Sequence, residues 1–202
     1  MIEINKKQGK PVFPKQISYL MRIRDVSEHL DRASVKNKWL IKIGIYYLKF
    51  INNILSSYVS NKENDVTLST VDKFDENFDK FWGKVKCEYD FIIEGSKEYM
   101  NWRYTDKRGG NYRITIAFDD NEIVGYLVTR IIKYKPDYYE GFIVDFLALF
   151  GRNDVVEKMI LDAIRYFDEN DVNVIYCWII RGHLHEKIFF LRVLLIVESR
   201  SK

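Results

Sequence analysis

An α/β chain built around one mixed sheet is the fold class that this sequence predicts, and three observations carry it. Residues 112–118 alternate Tyr112, Ile114, Ile116 and Phe118 with Arg113, Thr115 and Ala117, the period of a half-buried strand. Asp119, Asp120 and Asn121 then supply a turn into a second strand over 123–133. Two near-continuous apolar runs follow, FIVDFLAL over 142–149 and VNVIYCWII over 172–180, as expected of strands covered on both faces. Between them, residues 153–169 place Val156, Met159, Ile160, Ala163, Ile164 and Phe167 at helical spacing. Strand, helix and strand form one crossover, so the two strands should be parallel. The class is α/β with α+β character: a mixed central sheet with flanking helices.

Taken from the start, residues 15–32 carry Ile17, Leu20, Met21, Ile23, Val26 and Leu30 mostly three and four apart, which predicts an amphipathic helix after Pro14. A second helix is predicted over 38–56, with Lys38, Lys42, Lys49, Asn53 and Ser56 on a narrow polar stripe and Trp39, Ile43, Tyr46, Tyr47, Phe50 and Ile54 on a broad apolar arc. Residues 1–60 thus form a helical N-terminal segment, 61–65 within the polar run SNKEND a linker, and 66–202 the sheet-bearing domain. That domain opens with a short strand over 66–70. A helix follows near Asp75, with Phe74, Phe78, Phe81, Trp82 and Val85 on one face. Ser96 is a good N-cap for a short helix holding Tyr99, Met100 and Trp102. Gly182 breaks the chain before a last helical segment from Leu184.

Composition bounds the function. Hydrophobic residues at 47% and aromatics at 15% of 202 residues supply a packed core, which excludes disorder of the whole chain. The net charge of +3 is uneven: residues 1–60 hold 11 Lys and Arg against 4 Asp and Glu, leaving 21 against 25. The lysines of this basic arm are interspersed with core-like apolar residues, which argues against a nucleic-acid partner. Cys87 and Cys177 stand far apart, and His29, His183 and His185 have no metal-ligand spacing, so neither a metal site nor a disulfide is indicated. Lys6, Lys7 and Lys10 lead into Pro11 and Pro14 rather than an apolar stretch, as in a cytoplasmic protein without a secretory leader. The most apolar segment, 39–55, is broken by Lys42 and Lys49 and falls short of the roughly 20 apolar residues of a membrane span.

The strings EYMNWRY over 98–104, NEIVGYLV over 121–128, IVDFLAL with GRNDVVEKMI after it, and CWIIRGH over 177–183 resemble the GNAT acetyltransferase superfamily, over about two thirds of the chain. They look most like a prokaryotic branch in which this domain often forms the second half of a two-domain protein. The resemblance implies a sheet that splays between 142–149 and 172–180, with acetyl-CoA as co-substrate wedged in the gap and a small-molecule or protein amine as acceptor. It places Leu147, Ala148, Leu149, Gly151, Arg152, Asn153, Asp154 and Val155 against coenzyme A, and Trp102, Arg103 and Tyr104 on the acceptor side. GRNDVV departs from the superfamily's Gly-x-Gly or Gly-x-Ala loop by having a single Gly and an acid near the phosphates. The superfamily also continues past its last helix into two strands. Here RVLLIVESRSK ends the chain, so the C-terminal strands are expected to be missing, the chain truncated, and the edge of 172–180 left unpaired, a hazard for homodimerisation.

The residues themselves allow the same chemistry. A helix starting after Gly151 offers unpaired N–H groups and a positive dipole end to a pyrophosphate, with Arg152 able to pair with a phosphate oxygen. Asp145 lies among Ile143, Val144, Phe146 and Leu147, apolar neighbours that raise a carboxyl pKa and suit a base for an attacking amine. It would equally serve to hold the splayed sheet. His183, after the second parallel strand, is a second catalytic candidate or an exposed loop histidine. Trp102, Arg103 and Tyr104 suit a substrate with a carboxylate or hydroxyls, or simply pack their helix with Arg103 outward. An N-acyltransferase and a non-catalytic module of the same fold are the two functions that remain.

Overall fold

The computed structural model describes residues 17–23, 39, 43, 46, 65–89 and 92–193. Six strands form one sheet, β1 (Ile17–Ile23), β2 (Thr67–Val71), β3 (Tyr112–Asp119), β4 (Glu122–Lys135), β5 (Tyr138–Ala148) and β6 (Val174–Ile180), in the order β1-β6-β5-β4-β3-β2. Helices α1 (Glu76–Val85) and α2 (Lys97–Tyr104) cover one face, and α3 (Asn153–Glu169) and α4 (Glu186–Val193) the other. Every pair of neighbouring strands is antiparallel except β5 and β6, which are parallel as the crossover requires.

The hairpin and the crossover form where local pattern demands them. Asp119 pairs with Glu122, so Asp120 and Asn121 make a two-residue loop, both with positive φ, the mirror-image turn whose twist matches the strands. α1 is capped by Asp75, whose carboxylate accepts from the Asn77 amide at 2.9 Å, and buries Phe78, Phe81, Trp82 and Val85. Ser96 occupies the N-cap of α2 without a side-chain bond to it. Asp79 of α1 instead accepts from the Lys97 amide at 2.8 Å, so one helix caps the next. α3 lies close against the sheet at Gly125, where an added Cβ would meet Val155 Cγ1 at 2.9 Å and the Leu147 carbonyl oxygen at 3.0 Å.

Two expectations are corrected. Residues 17–23 are a strand, not the start of an amphipathic helix, and β1 pairs with β6 along its length, from Ile17 opposite Ile180 to Ile23 opposite Val174. The apolar spacing there fits both periods. The strand wins because β6 otherwise presents a row of unpaired backbone groups, and because Ser18 and Leu20 then turn inward together. The edge of β6 is therefore covered within the chain, and it is not available for the homodimer predicted through it. Ser18 Oγ donates to Glu186 at 3.1 Å and the Gly182 amide to the same carboxylate at 2.7 Å, which fastens β1, the end of β6 and α4 together. Of the second predicted helix, Trp39, Ile43 and Tyr46 are helical and exposed, and the rest lies outside the described residues, as do the linker save Asp65 and residues 194–202. Among the described residues no helix is long and apolar enough to cross a membrane.

Candidate active site at the parting of two parallel strands

β5 and β6 pair from Glu140 opposite Val174 to Ile143 opposite Cys177, and there the pairing ends, although β5 continues to Ala148 and β6 to Ile180. The strands part where β5 also slips against β4. Val128 faces Asp145 and Thr129 faces Ile143, so Val144 is an extra residue, a β-bulge. Its effect is one of phase. Ile143 faces α3, and in a regular strand Asp145 would follow it there; after the bulge, Phe146 and Ala148 face α3 while Asp145 and Leu147 face α1 and α2. The bulge aims the carboxylate.

On that face Tyr104, the last residue of α2 and buried, donates its phenol to Asp145 Oδ2 at 2.7 Å. Tyr126 of β4 also acts on this carboxylate, and it sits among Phe74, Phe78 and Phe81, with ring centroids 5.4 to 6.2 Å away. Burial pushes the Asp145 pKa up, against the opposing pull of the Tyr104 bond, the Arg103 charge and the Tyr126 phenol. Burial and the neighbouring Asp145 charge also raise both phenols, so Tyr104 and Tyr126 stay protonated donors. Arg103 is exposed, its Nη1 donating to Tyr99 Oη at 2.9 Å and its guanidinium 5.4 Å from the centre of the Tyr104 ring. Trp102 is 67% exposed beside Tyr99, so it does not pack its helix into the core. The predicted acceptor trio thus divides: Tyr104 bonds the carboxylate, Arg103 acts on it by its charge, and Trp102 stands exposed against Tyr99.

His183 is not with Asp145. It lies on the α3 side, half-buried, with its ring 5.5 Å from that of Phe146 and its Nδ1 accepting from the His185 amide at 3.2 Å. His185 is buried, its Nδ1 is 3.0 Å from Asn153 Oδ1, and burial lowers its pKa to about 4, so it is neutral. Phe146, His183, His185 and Phe189 pack together between the parted strands on this face. Cys177 is buried, and its thiol is pushed up to about 12 by burial, an inert core group. Among the described residues no group of three or more His, Cys, Asp or Glu could hold a metal ion.

The head of α3 is where a coenzyme A diphosphate was expected, and several of its polar groups already have partners. Gly151 takes φ 78° with open space around its missing side chain, which suits a loop approached by a ligand. Arg152, however, does not project free. Its guanidinium binds Asp154, at 2.9 Å from Nη2, and Asp119, at 2.7 Å from Nη1. Asp154, held below its ordinary pKa first by Arg152, also draws on the amides of Val155 and of itself. The Phe150 amide donates to Glu88 at 3.0 Å, and the Leu149, Arg152, Asn153 and Val156 amides donate to chain carbonyls. Three carboxylates against one guanidinium leave this corner negative, so it does not fit a diphosphate. Of the other predicted contacts, Asn153 is turned to His185, Leu147, Ala148 and Val155 are core, and Leu149 packs against both faces.

Sequence reasoning missed Tyr126, Glu88 and Asp119. Tyr126 alone left a signal, a lone phenol in the apolar string EIVGYLV, and a buried phenol needs a partner.

No protein-family model and no curated protein matches the sequence. Solved structures do match. An aminoglycoside acetyltransferase from an uncultured soil metagenomic sample aligns at a TM-score of 0.50 and 14% identity, over 69% of this chain and 94% of that one. The ribosomal-protein-alanine N-acetyltransferase of Brucella melitensis biovar Abortus 2308 gives 0.51 at 11% identity, over 69% and 97%. An acetyltransferase of Trypanosoma brucei gives 0.50 at 13%, over 68% and 97%. At these identities the likeness is one of fold: the chain has the fold of the GNAT acetyltransferases, with its mixed sheet and flanking helices.

Proposed function

We propose that this chain is an N-acyltransferase that moves an acetyl group from a thioester to an amine at the parting of β5 and β6. The observation that carries the reading is Asp145, turned by a bulge at that point onto two phenols and held with a raised pKa. A side-chain amine with a pKa of about 10.4 is neutral in fewer than about one molecule in a thousand at pH 7, so a base is needed. Asp145 takes the proton that the amine sheds as its nitrogen bonds to the carbonyl carbon. The carbon–sulfur bond breaks, and the proton taken up by Asp145 passes on to the leaving sulfur, which departs as the thiol. Tyr104 and Tyr126 orient the carboxylate, and Arg103 tempers its charge. Trp102 and Arg103 offer the acceptor an exposed aromatic face and a cation.

Acetyl-CoA is the natural first donor to assay. Two of the structural neighbours bear names that specify an aminoglycoside and a ribosomal-protein alanine, so an aminoglycoside and an alanine-initiated peptide head the acceptor panel. Transfer is measured as acetylated product by mass. Product formation lost in Asp145→Asn but kept in Cys87→Ser supports the reading; no product with any donor and amine counts against it. A second reading, a non-catalytic protein of the same fold, draws on the satisfied amides at the head of α3, and it predicts no affinity for any thioester.

A further inference from the structure

We infer that the thioester donor carries no nucleotide diphosphate: the site takes a pantetheine-type arm, and the head of α3 excludes the nucleotide half of coenzyme A. The inference rests on the acyl-transfer reading and adds the class of donor. Both halves of the cleft contribute to it.

At the acyl end, β5 has lost its β6 partner beyond Ile143, so the backbone of 144–148 is an edge that an extended amide-bearing arm can pair with. Asp145 marks where the thioester must stop. At the far end, a diphosphate would bring two negative charges to amides that have partners already. It would have to displace the Asp154 carboxylate from Arg152 and from the Val155 amide, and Glu88 from the Phe150 amide. Asp119 would still hold Arg152 from the other side. A helix N-terminus attracts an anion through unpaired N–H groups and its dipole, and here Asp154 and Glu88 already place two of the chain's own carboxylates at that end. Gly151 leaves room for an arm to leave the cleft without an anion being held there. Two sources share this chemistry, a small thioester and the phosphopantetheine arm of a carrier.

The experiment compares donors on the purified chain by thermal shift and by thiol release with the amine panel. Acetyl-CoA, acetyl-phosphopantetheine and acetyl-pantetheine are titrated, with adenosine 3′,5′-bisphosphate as competitor. The expected result is that acetyl-pantetheine binds within about threefold of acetyl-CoA, a difference under 1 kcal/mol, and that the bisphosphate neither binds nor competes. A preference for acetyl-phosphopantetheine over acetyl-pantetheine assigns the arm to a carrier, and parity assigns it to a small thioester. In the double variant Glu88→Gln, Asp154→Asn, acetyl-CoA should gain about tenfold while acetyl-pantetheine stays unchanged, because only the nucleotide half meets those carboxylates. If acetyl-CoA binds more than about tenfold tighter than acetyl-pantetheine in the unaltered chain, or the bisphosphate competes, the inference is overturned and acyl transfer stands. If no thioester binds, the acyl-transfer reading falls and takes the inference with it.

Discussion

Asp145, at the parting of β5 and β6, and Asp154, at the head of α3, are nine residues apart, and their environments push them in opposite directions. Asp154 faces a guanidinium, and its carboxyl is held below the ordinary range. Asp145 faces two phenols in a partly desolvated site, and burial raises it more than its donors lower it. The paired acid is fixed in its charged form and serves to close the head of α3. The raised acid binds a proton more readily than an ordinary aspartate does. Titratable groups driven apart in this way divide a site into a part that reacts and a part that holds.

The largest test of that division is Asp145→Asn. The amide still accepts the Tyr104 hydrogen bond but cannot take a proton, so transfer should fall about 10²- to 10⁴-fold while thermal stability changes little. The wild-type rate should rise with pH as Asp145 ionises, with a midpoint above the roughly 3.9 of an unperturbed aspartate, and the variant should lack that limb. A variant that keeps a third of the activity but loses stability would give Asp145 the structural role, that of tying α2 to the bulge. Asp154→Asn should leave transfer from acetyl-pantetheine unchanged.

The head of α3 should show itself next, in stability rather than rate. His185 is buried and neutral with a pKa near 4, against about 6.5 in the unfolded chain. Above pH 6.5 neither state binds the proton. As pH falls from 6.5 toward 4 the unfolded state takes it up first, so stability is lost across that window, by on the order of 3 kcal/mol. Urea unfolding at pH 7.5 and 4.5 measures the loss, and His185→Phe should flatten it. An equal slope in the variant would show that other groups carry the acid sensitivity.

The contrast between the two ends also explains what the sequence could reveal. The hairpin of β3 and β4, helix α3 and the parallel crossover were legible because each follows from periods within a few residues. β1 was not, since Ile17, Leu20, Met21 and Ile23 fit either period and the partner that decides lies over 150 residues on, in β6. Asp145 stood out as the one acid in an apolar run, yet its direction depends on Val144 being an extra residue, and a bulge leaves no mark in composition. His183, which follows the second parallel strand, was grouped with Asp145 inside the first; the phase reversal at the bulge puts them on opposite faces. Arg152 was read as a phosphate ligand because Asp119, which helps claim it, sits in a hairpin 33 residues earlier.

Gly125 joins the two ends physically. It lies between Leu147 of β5 and Val155 of α3, and the Gly125→Ala methyl would press on a backbone carbonyl that cannot rotate away. Helix and strand must separate, at a cost of about 1 to 3 kcal/mol. Because the shift moves the head of α3 rather than the bulge, transfer at a temperature where the variant is folded should fall less than about threefold, a barrier change under about 1 kcal/mol. A loss of activity as large as that of Asp145→Asn would mean that the ends act as one unit.

The smallest effect belongs to the acceptor side. Trp102 is 67% exposed with its ring against Tyr99, so Trp102→Ala should change stability by less than about 0.5 kcal/mol, the range of ordinary surface positions. An exposed tryptophan two residues before Tyr104 stands out in a chain that buries Phe74, Phe78, Phe81 and Trp82 with Tyr126. If it receives the acceptor, its removal should raise KM for the amine several-fold and leave KM for the thioester and kcat as they were, since the ring touches neither the carboxylate nor β5. Unchanged KM values for both substrates would remove Trp102 from the site and leave Arg103, beside Tyr104, as the acceptor's contact on α2.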